Sequence, residues 1–369
     1  MTNVGITGIA YALPAREMRT DELQRRVAVA SGLALPPGMF RQATGIARRR
    51  VAADDEYASD LATDAATKVL ADAGRDPLDI DLLLFASATR DMAEPATAHV
   101  VQAALGSRAH ALDVTNACNS FLNGIDLARS MILAGRARRA LVVTGETPTR
   151  AMRPWVDGMA QARTAFAGFT FGDAGAAVLV EPVATGGILD VDAETHSEHW
   201  AAGGIFGGGS RHPRGDEHTY FTGDGHRLRA IFERIGAGLL ERVALRTGFA
   251  WSDYAKVLVH QVTLPYLERF AEVTGVPRDK LEVTVRELGN LASASLGVQL
   301  ARVRPSLSGG DRVLLVGLGG GVSLMTTTTM VWEGFLTSST AGLERARPIW
   351  RDLLASTPWR PGARSTWFR

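Results

Sequence analysis

The stretch ALDVTNACNSFLNGIDLARSMILAGRARRALVVTGE, residues 111–146, reads as strand, helix and strand in succession. A short apolar run surrounds 111–114, a long helical pattern follows the cysteine to about Ala134, and RALVVTGE (139–146) is a second apolar run. Runs that are apolar on successive positions and too short for a helix are strands buried on both faces. Upstream, VGITGIAY opens the chain, 59–74 has apolar spacings of three and four and ends on glycine, IDLLLFAS (80–87) is another buried strand, and a helix follows Pro95. Alternating order of this kind predicts an α/β fold with a mostly parallel sheet covered by helices.

The order then recurs. A helical stretch over 229–248 precedes AKVLVHQV (255–262), a helix follows Pro265, and RVLLVGLGGG (312–321) matches RALVVTGE in place and character. Two similar halves, 1–182 and 183–335, are therefore expected. The second half includes a Gly-, His- and charge-rich excursion at 185–227, and a tail at 336–369 carrying Trp350, Trp359 and Trp367 has no assignable pattern.

Composition limits the function classes. With 369 residues and 46% apolar content the chain can bury a large core, and 40 basic against 39 acidic residues, net +1, advertise neither a nucleic-acid nor an anionic-membrane surface. One cysteine cannot form an internal disulfide, the start lacks the pattern of a secretory signal, and no apolar run reaches the roughly 18 residues of a membrane span. A cytoplasmic protein without a membrane span is the expectation.

Cys118 stands where a strand turns into a helix. A thiol at a helix N-terminus faces unpaired N–H groups, which favour thiolate, although a lone cysteine is as readily a small buried hydrophobe. His260 closes the apolar run VLVHQVT, at a strand end where α/β sheets carry their crevices. Asn290, in ELGNLASASLG, reads first as a turn or cap residue. GLGGGVS (317–323) lacks the spacing of a nucleotide loop and suits a tight turn that offers an N–H to an oxyanion. His196, His199, His212 and His218 lie in the excursion without a zinc-type ligand set, so no metal site is expected. Met152, Trp155, Phe166 and Phe169 suit either an acyl tunnel or plain core.

Taken together, NACNSF (116–121), FTFGDAGAAVLV (169–180), LVHQV (258–262), LGNLASAS (288–295) and GLGGGVS (317–323), with TGIARR (44–49), resemble the thiolase-superfamily condensing enzymes of the β-ketoacyl-acyl-carrier-protein synthase III type over about residues 3–335. The resemblance implies a thiolase-like five-layered αβαβα fold of two duplicated halves, acting as a homodimer. It implies Cys118 as the nucleophile acylated by a thioester, the backbone N–H groups of Cys118 and Gly320 as oxyanion hole, and His260 and Asn290 as donors to the second substrate's carbonyl. No cofactor is implied, only acyl-CoA or acyl-carrier-protein thioesters as substrates.

Met39, Ala43 and Pro265 replace the family's Trp, Arg and Arg that hold coenzyme A, which implies a carrier protein or another mode of coenzyme A binding. ATRDMAEPATAHV (88–100) resembles the branch that condenses two fatty acyl thioesters head to head in olefin and β-lactone biosynthesis, where the Glu before Pro, here Glu94, reaches across the dimer as base. Read without the resemblance, Glu94-Pro95 merely starts a helix. A ketosynthase-type acyltransferase of a specialised lipid or natural-product pathway is the expected function. The alternatives are acyl transfer to a hydroxyl or amine, and a non-catalytic acyl-carrier-binding subunit.

Overall fold

The computed structural model of the chain describes residues 3–215, 217–332 and 334. The tail at 336–369 lies outside the described residues. One sheet has five strands, β1 (Asn3–Ala12), β2 (Leu82–Ala86), β3 (His110–Val114), β4 (Ala140–Glu146) and β5 (Ala174–Val183), in the order β1-β5-β4-β2-β3. Strand β2 runs parallel to β3 and β4, whereas β5 is antiparallel to β4 and β1. The other sheet contains β6 (Gly187–Thr195), β7 (Lys256–Val259), β8 (Arg312–Gly319) and β9 (Ser323–Met330), in the order β6-β9-β8-β7. There β7 and β8 are parallel and β9 is antiparallel to both neighbours.

The two orders match position for position, which is the duplication expected from the sequence. The second sheet's counterpart of β3 has shrunk to a single bridge between Val257 and Leu281.

Six helices complete the layers: α1 (Ala58–Asp72), α2 (Thr97–Leu105), α3 (Ser120–Leu133), α4 (Gly225–Thr247), α5 (Leu264–Thr274) and α6 (Ala294–Val303). Phe121, Leu122 and Ile125 of α3 and Leu296 and Leu300 of α6 share one core with Leu84, Val142 and Val178 of the first sheet and Leu258 and Leu315 of the second. These two helices are therefore the middle layer. Helices α1 and α2 cover the outer face of the first sheet, and α4 and α5 that of the second. The first outer layer packs unusually close. A Cβ on Gly145 would overlap the carbonyl oxygen of Ala58, and one on Gly175 that of Leu61, so the helix backbone rests directly on strand glycines.

The excursion is shorter than expected. Residues Gly187–Thr195, read as loop because of their acids, form the edge strand β6; Asp190, Asp192 and Glu194 alternate along it and pair with Arg242 and Arg246 of α4. The remaining loop is crossed by a short antiparallel pair, Gly203–Gly204 with Thr222–Gly223. Phe169 is buried beside Phe40, with Phe166 and Met152 packed against the same cluster, so these three serve as core. Trp155 is 39% exposed and meets Tyr220 edge to face. No helix among the described residues is long and apolar enough to cross a membrane.

Phe121 joins the two central helices, since a Cβ on Gly297 of α6 would stand 3.0 Å from its ring. Phe121→Ala is expected to lower the unfolding free energy by about 3–5 kcal/mol, measured by chemical denaturation.

Candidate active site

The candidate residues stand on four segments. The first is the turn before α3. Ala117, at φ 47°, bends the chain so that Cys118 sits just ahead of the helix, and Asn116 N–H is held by Ser120 Oγ at 2.8 Å. Ala292 before α6 has the same φ of 47°, and Val322 beside the glycine turn has 57°. A left-handed backbone is costly for residues other than glycine, most of all for a β-branched one, so surrounding contacts must hold these three turns in place.

The contacts that hold the cysteine turn are visible. Asn119 Nδ2 donates to Ser323 O at 2.7 Å and to Ser323 Oγ at 3.1 Å, while Asn116 Nδ2 reaches Ser323 Oγ at 3.2 Å and Asn123 Oδ1 at 2.7 Å. Gly317 has no side chain to spare, because a Cβ there would overlap Asn119 Oδ1. The nucleophile turn of the first half is thereby clamped to the β8–β9 turn of the second. One result is that the backbone N–H groups of Gly320 and Cys118 act on the Cys118 thiol and favour its thiolate.

Burial and the neighbouring Glu146 carboxylate push the Cys118 thiol up to about 12, with the two N–H groups opposing them. The helix N-terminus was expected to favour thiolate. In the folded protein desolvation wins, and the resting group is a thiol.

His260 follows β7, its N–H bound to Val316 O at 2.9 Å. The ring is 2% exposed and Nδ1 has no partner. Burial alone lowers its pKa to about 4, so at neutral pH it is an uncharged imidazole. Asn290 is fixed by its backbone, with N–H to Thr170 O at 2.8 Å and O accepting from Gly172 N–H at 3.0 Å. Its Oδ1 accepts from Ala292 N–H at 3.0 Å, which orients the amide and leaves its NH2 group as the donor. The cap role read from sequence and a donor role are thus compatible. TGIARR has a structural part in this: fully buried Arg49 binds the carbonyls of Phe169 and Phe171, the segment that pairs with Asn290.

Glu94 lies apart from this constellation within the chain. It is exposed, in the segment between β2 and α2, and its bond to Pro95 is cis. It does not cap the helix; Asp113 does, accepting from the N–H groups of Thr97 and Ala98 at 3.0 and 2.8 Å. Glu146 was missed by sequence reasoning. It ends β4 completely buried, and an acid closing an apolar strand with no nearby base was the available signal. In the excursion His196 pairs with Glu194, His199 meets Arg234 at 3.1 Å, and His212 stacks on His218.

Comparison with known proteins identifies relatives of the whole fold. Residues 112–197 match the family model of 3-oxoacyl-[acyl-carrier-protein] synthase III, and 245–331 its C-terminal part. The β-ketoacyl-[acyl-carrier-protein] synthase III of Rhodobacter capsulatus is 32% identical over 86% of the chain and 96% of its own length. OleA of Xanthomonas campestris, solved with bound lauric acid and lauroyl-CoA, superposes with a TM-score of 0.79 at 26% identity, covering 89% of this chain and 99% of that one. Solved variants of the same OleA replace a histidine and a glutamate. The synthase III, FabH, of Xanthomonas oryzae gives 0.79 at 27% identity, over 90% of this chain and all of its own.

A buried neutral histidine has a measurable consequence. Its folded pKa lies below the unfolded value of 6.5, so the unfolded chain binds the extra proton and stability falls as pH drops from 6.5 towards 4. His260→Asn should abolish up to on the order of 3 kcal/mol of that acid loss, read from denaturation midpoints at several pH values.

Proposed function

We propose a reaction course for a chain that belongs to the 3-oxoacyl-[acyl-carrier-protein] synthase III family and is a condensing enzyme of that type: two acyl thioesters are joined head to head through an acyl-Cys118 intermediate. The observation that carries this reading is the clamp of the cysteine turn, through Asn116 and Asn119, to Ser323 beside the glycine turn, with the backbone N–H groups of Cys118 and Gly320 both acting on the thiol. In the first step the Cys118 sulfur bonds to the acyl carbonyl carbon, the carbon–sulfur bond of the donor breaks, and the thiol proton leaves with the departing thiolate. The oxygen that becomes negative on the way lies within reach of the same two donors, each worth on the order of 3 kcal/mol in such sites.

The second thioester must then lose an α-proton. His260 and the Asn290 amide can hold its carbonyl oxygen as an enolate; both are neutral donors, which stabilise charge without adding any. The base in this reading is Glu94 of a second copy, since the residue is exposed on its own subunit and serves no cap there. The enolate carbon attacks acyl-Cys118, the new carbon–carbon bond forms, and the Cys118 thiolate is expelled and reprotonated. The product is a β-keto thioester. Each step runs on these side chains without a cofactor, and the active form is a homodimer.

OleA accommodates lauroyl-CoA, and a long-chain acyl thioester is the corresponding substrate here. With Met39, Ala43 and Pro265 in place of an aromatic and two basic contacts, an acyl carrier protein is the favoured donor, and the setting is a specialised lipid or natural-product pathway.

A long-chain acyl thioester supplied alone, without a malonyl donor, should yield a β-keto thioester, which hydrolysis of its thioester by water converts to the β-keto acid and, by loss of CO2, to the ketone, all read by mass spectrometry. Cys118→Ala should make none. Glu94→Gln should still gain the acyl mass yet form product at least about 100-fold more slowly. An acylated parent protein that releases no such product would contradict head-to-head condensation and favour a hydroxyl or amine acceptor.

A further inference from the structure

Glu146 is a fully buried carboxylate that no step above employs. One oxygen accepts from Ala88 N–H at 2.7 Å and from the Ser293 hydroxyl; the other accepts from Thr89 N–H at 3.0 Å and Thr89 Oγ1 at 2.6 Å. Two of these donors are backbone amides. The Thr89 hydroxyl itself accepts from Thr147 N–H at 2.9 Å, so its proton is free to be given. Burial raises the Glu146 pKa, and the four hydrogen bonds oppose it. The two backbone amides can only donate, and the Ser293 hydroxyl also reaches Ala86 O at 3.3 Å; this donor-rich cage favours an ionised carboxylate, and charge-assisted bonds of this kind are the stronger ones.

The donors come from two separate segments. Ala88 and Thr89 begin the stretch that runs to Glu94, and Ser293 lies three residues beyond Asn290. Ser293 also meets Thr144 Oγ1 at 2.7 Å, which reaches Ser87 Oγ at 3.1 Å, so the network closes on itself. We infer that Glu146 is a positioning residue for the second half-reaction, an ionised carboxylate that fixes the Asn290 and Glu94 segments to one another behind the nucleophile. This rests on the reading of those two residues as the groups that form the enolate.

Glu146 also has an electrostatic effect that a neutral tether of the same shape would lack. It is the ionisable side chain that acts on the Cys118 thiol, opposing the N–H groups of Gly320 and Cys118, while buried His260 is neutral and adds no charge. Glutamine in its place keeps the shape but turns one acceptor into an NH2 group facing two donors, and removes the charge. Aspartate keeps the charge on a shorter stem.

The test uses the full-length protein with Glu146→Gln, Glu146→Asp and Ser293→Ala. Glu146→Gln should slow product formation by about tenfold to hundredfold without slowing Cys118 acylation, because the transition-state interactions lost belong to the second step. Iodoacetamide labelling of Cys118 as a function of pH should move to lower pH in Glu146→Gln and stay near the parent profile in Glu146→Asp and Ser293→Ala. Ser293→Ala should slow product formation less than Glu146→Gln, and Glu146→Asp should restore part of it.

Equal slowing of both steps in Glu146→Gln, or an unshifted labelling profile, would overturn the inference. If Glu146→Gln does not fold, Ser293→Ala decides: slower product formation with normal acylation supports it, and parental rates in both steps overturn it. If the parent protein makes no condensed product, the functional reading falls, and the labelling shift alone then supports or overturns the buried charge.

Discussion

The contact between the cysteine turn and the β8–β9 turn is the constraint on which the rest of the structure depends. Asn119 fills the space above Gly317 and binds Ser323, so the nucleophile of one half is registered against the glycine turn of the other. The central helices make this registration possible. Helices α3 and α6 begin at the same end of the middle layer, touch through Phe121 and Gly297, and each is preceded by an alanine at φ 47°. Duplication supplies two equivalent turns, and the site uses both: Cys118 at one, Asn290 at the other. Backbone strain at Ala117, Ala292 and Val322 is kept in place by these packed neighbours, as strained residues at functional turns require.

The electrostatics of the site follow from burial. Cys118 rests as a thiol and His260 as an imidazole, so at neutral pH neither group expected to meet substrate carries a charge. Such a site is suited to apolar acyl thioesters, because on the groups that meet substrate charge appears only transiently, on oxygens that N–H donors can reach. Cys118 stands just ahead of Asn119, the cap residue of α3, and burial and Glu146 push the thiol up against the two backbone N–H groups.

Most of this arrangement was legible in the sequence. Cys118, His260 and Gly320 follow apolar runs, but on their own these residues and Asn290 fitted core, turn or cap roles equally well, and only the family resemblance joined them into one site. The alternation of strands and helices and its repeat were readable from periodicity, but the expected mostly parallel sheet is mixed, because β5 and β9 run antiparallel to both their neighbours, a direction that periodicity does not encode. What escaped were features without a local signature. Strand β6 looked like loop because the arginines that pair with Asp190, Asp192 and Glu194, Arg242 and Arg246, lie some fifty residues later. Leu281 replaces a whole strand by one bridge, which no propensity anticipates. Glu146 read as the end of an apolar run; its donors are separated from it by about 57 and 147 residues in sequence, and only tertiary structure gathers them.

The central claim is that the N–H groups of Cys118 and Gly320 hold the carbonyl oxygen of an acyl group on Cys118. Infrared difference spectroscopy of the enzyme acylated with a carbonyl-13C thioester measures this most directly. The account predicts a single labelled carbonyl band, lost in Cys118→Ala and displaced to lower frequency than the same thioester in water. A band at the frequency of the free thioester, or one that survives Cys118→Ala, would contradict it.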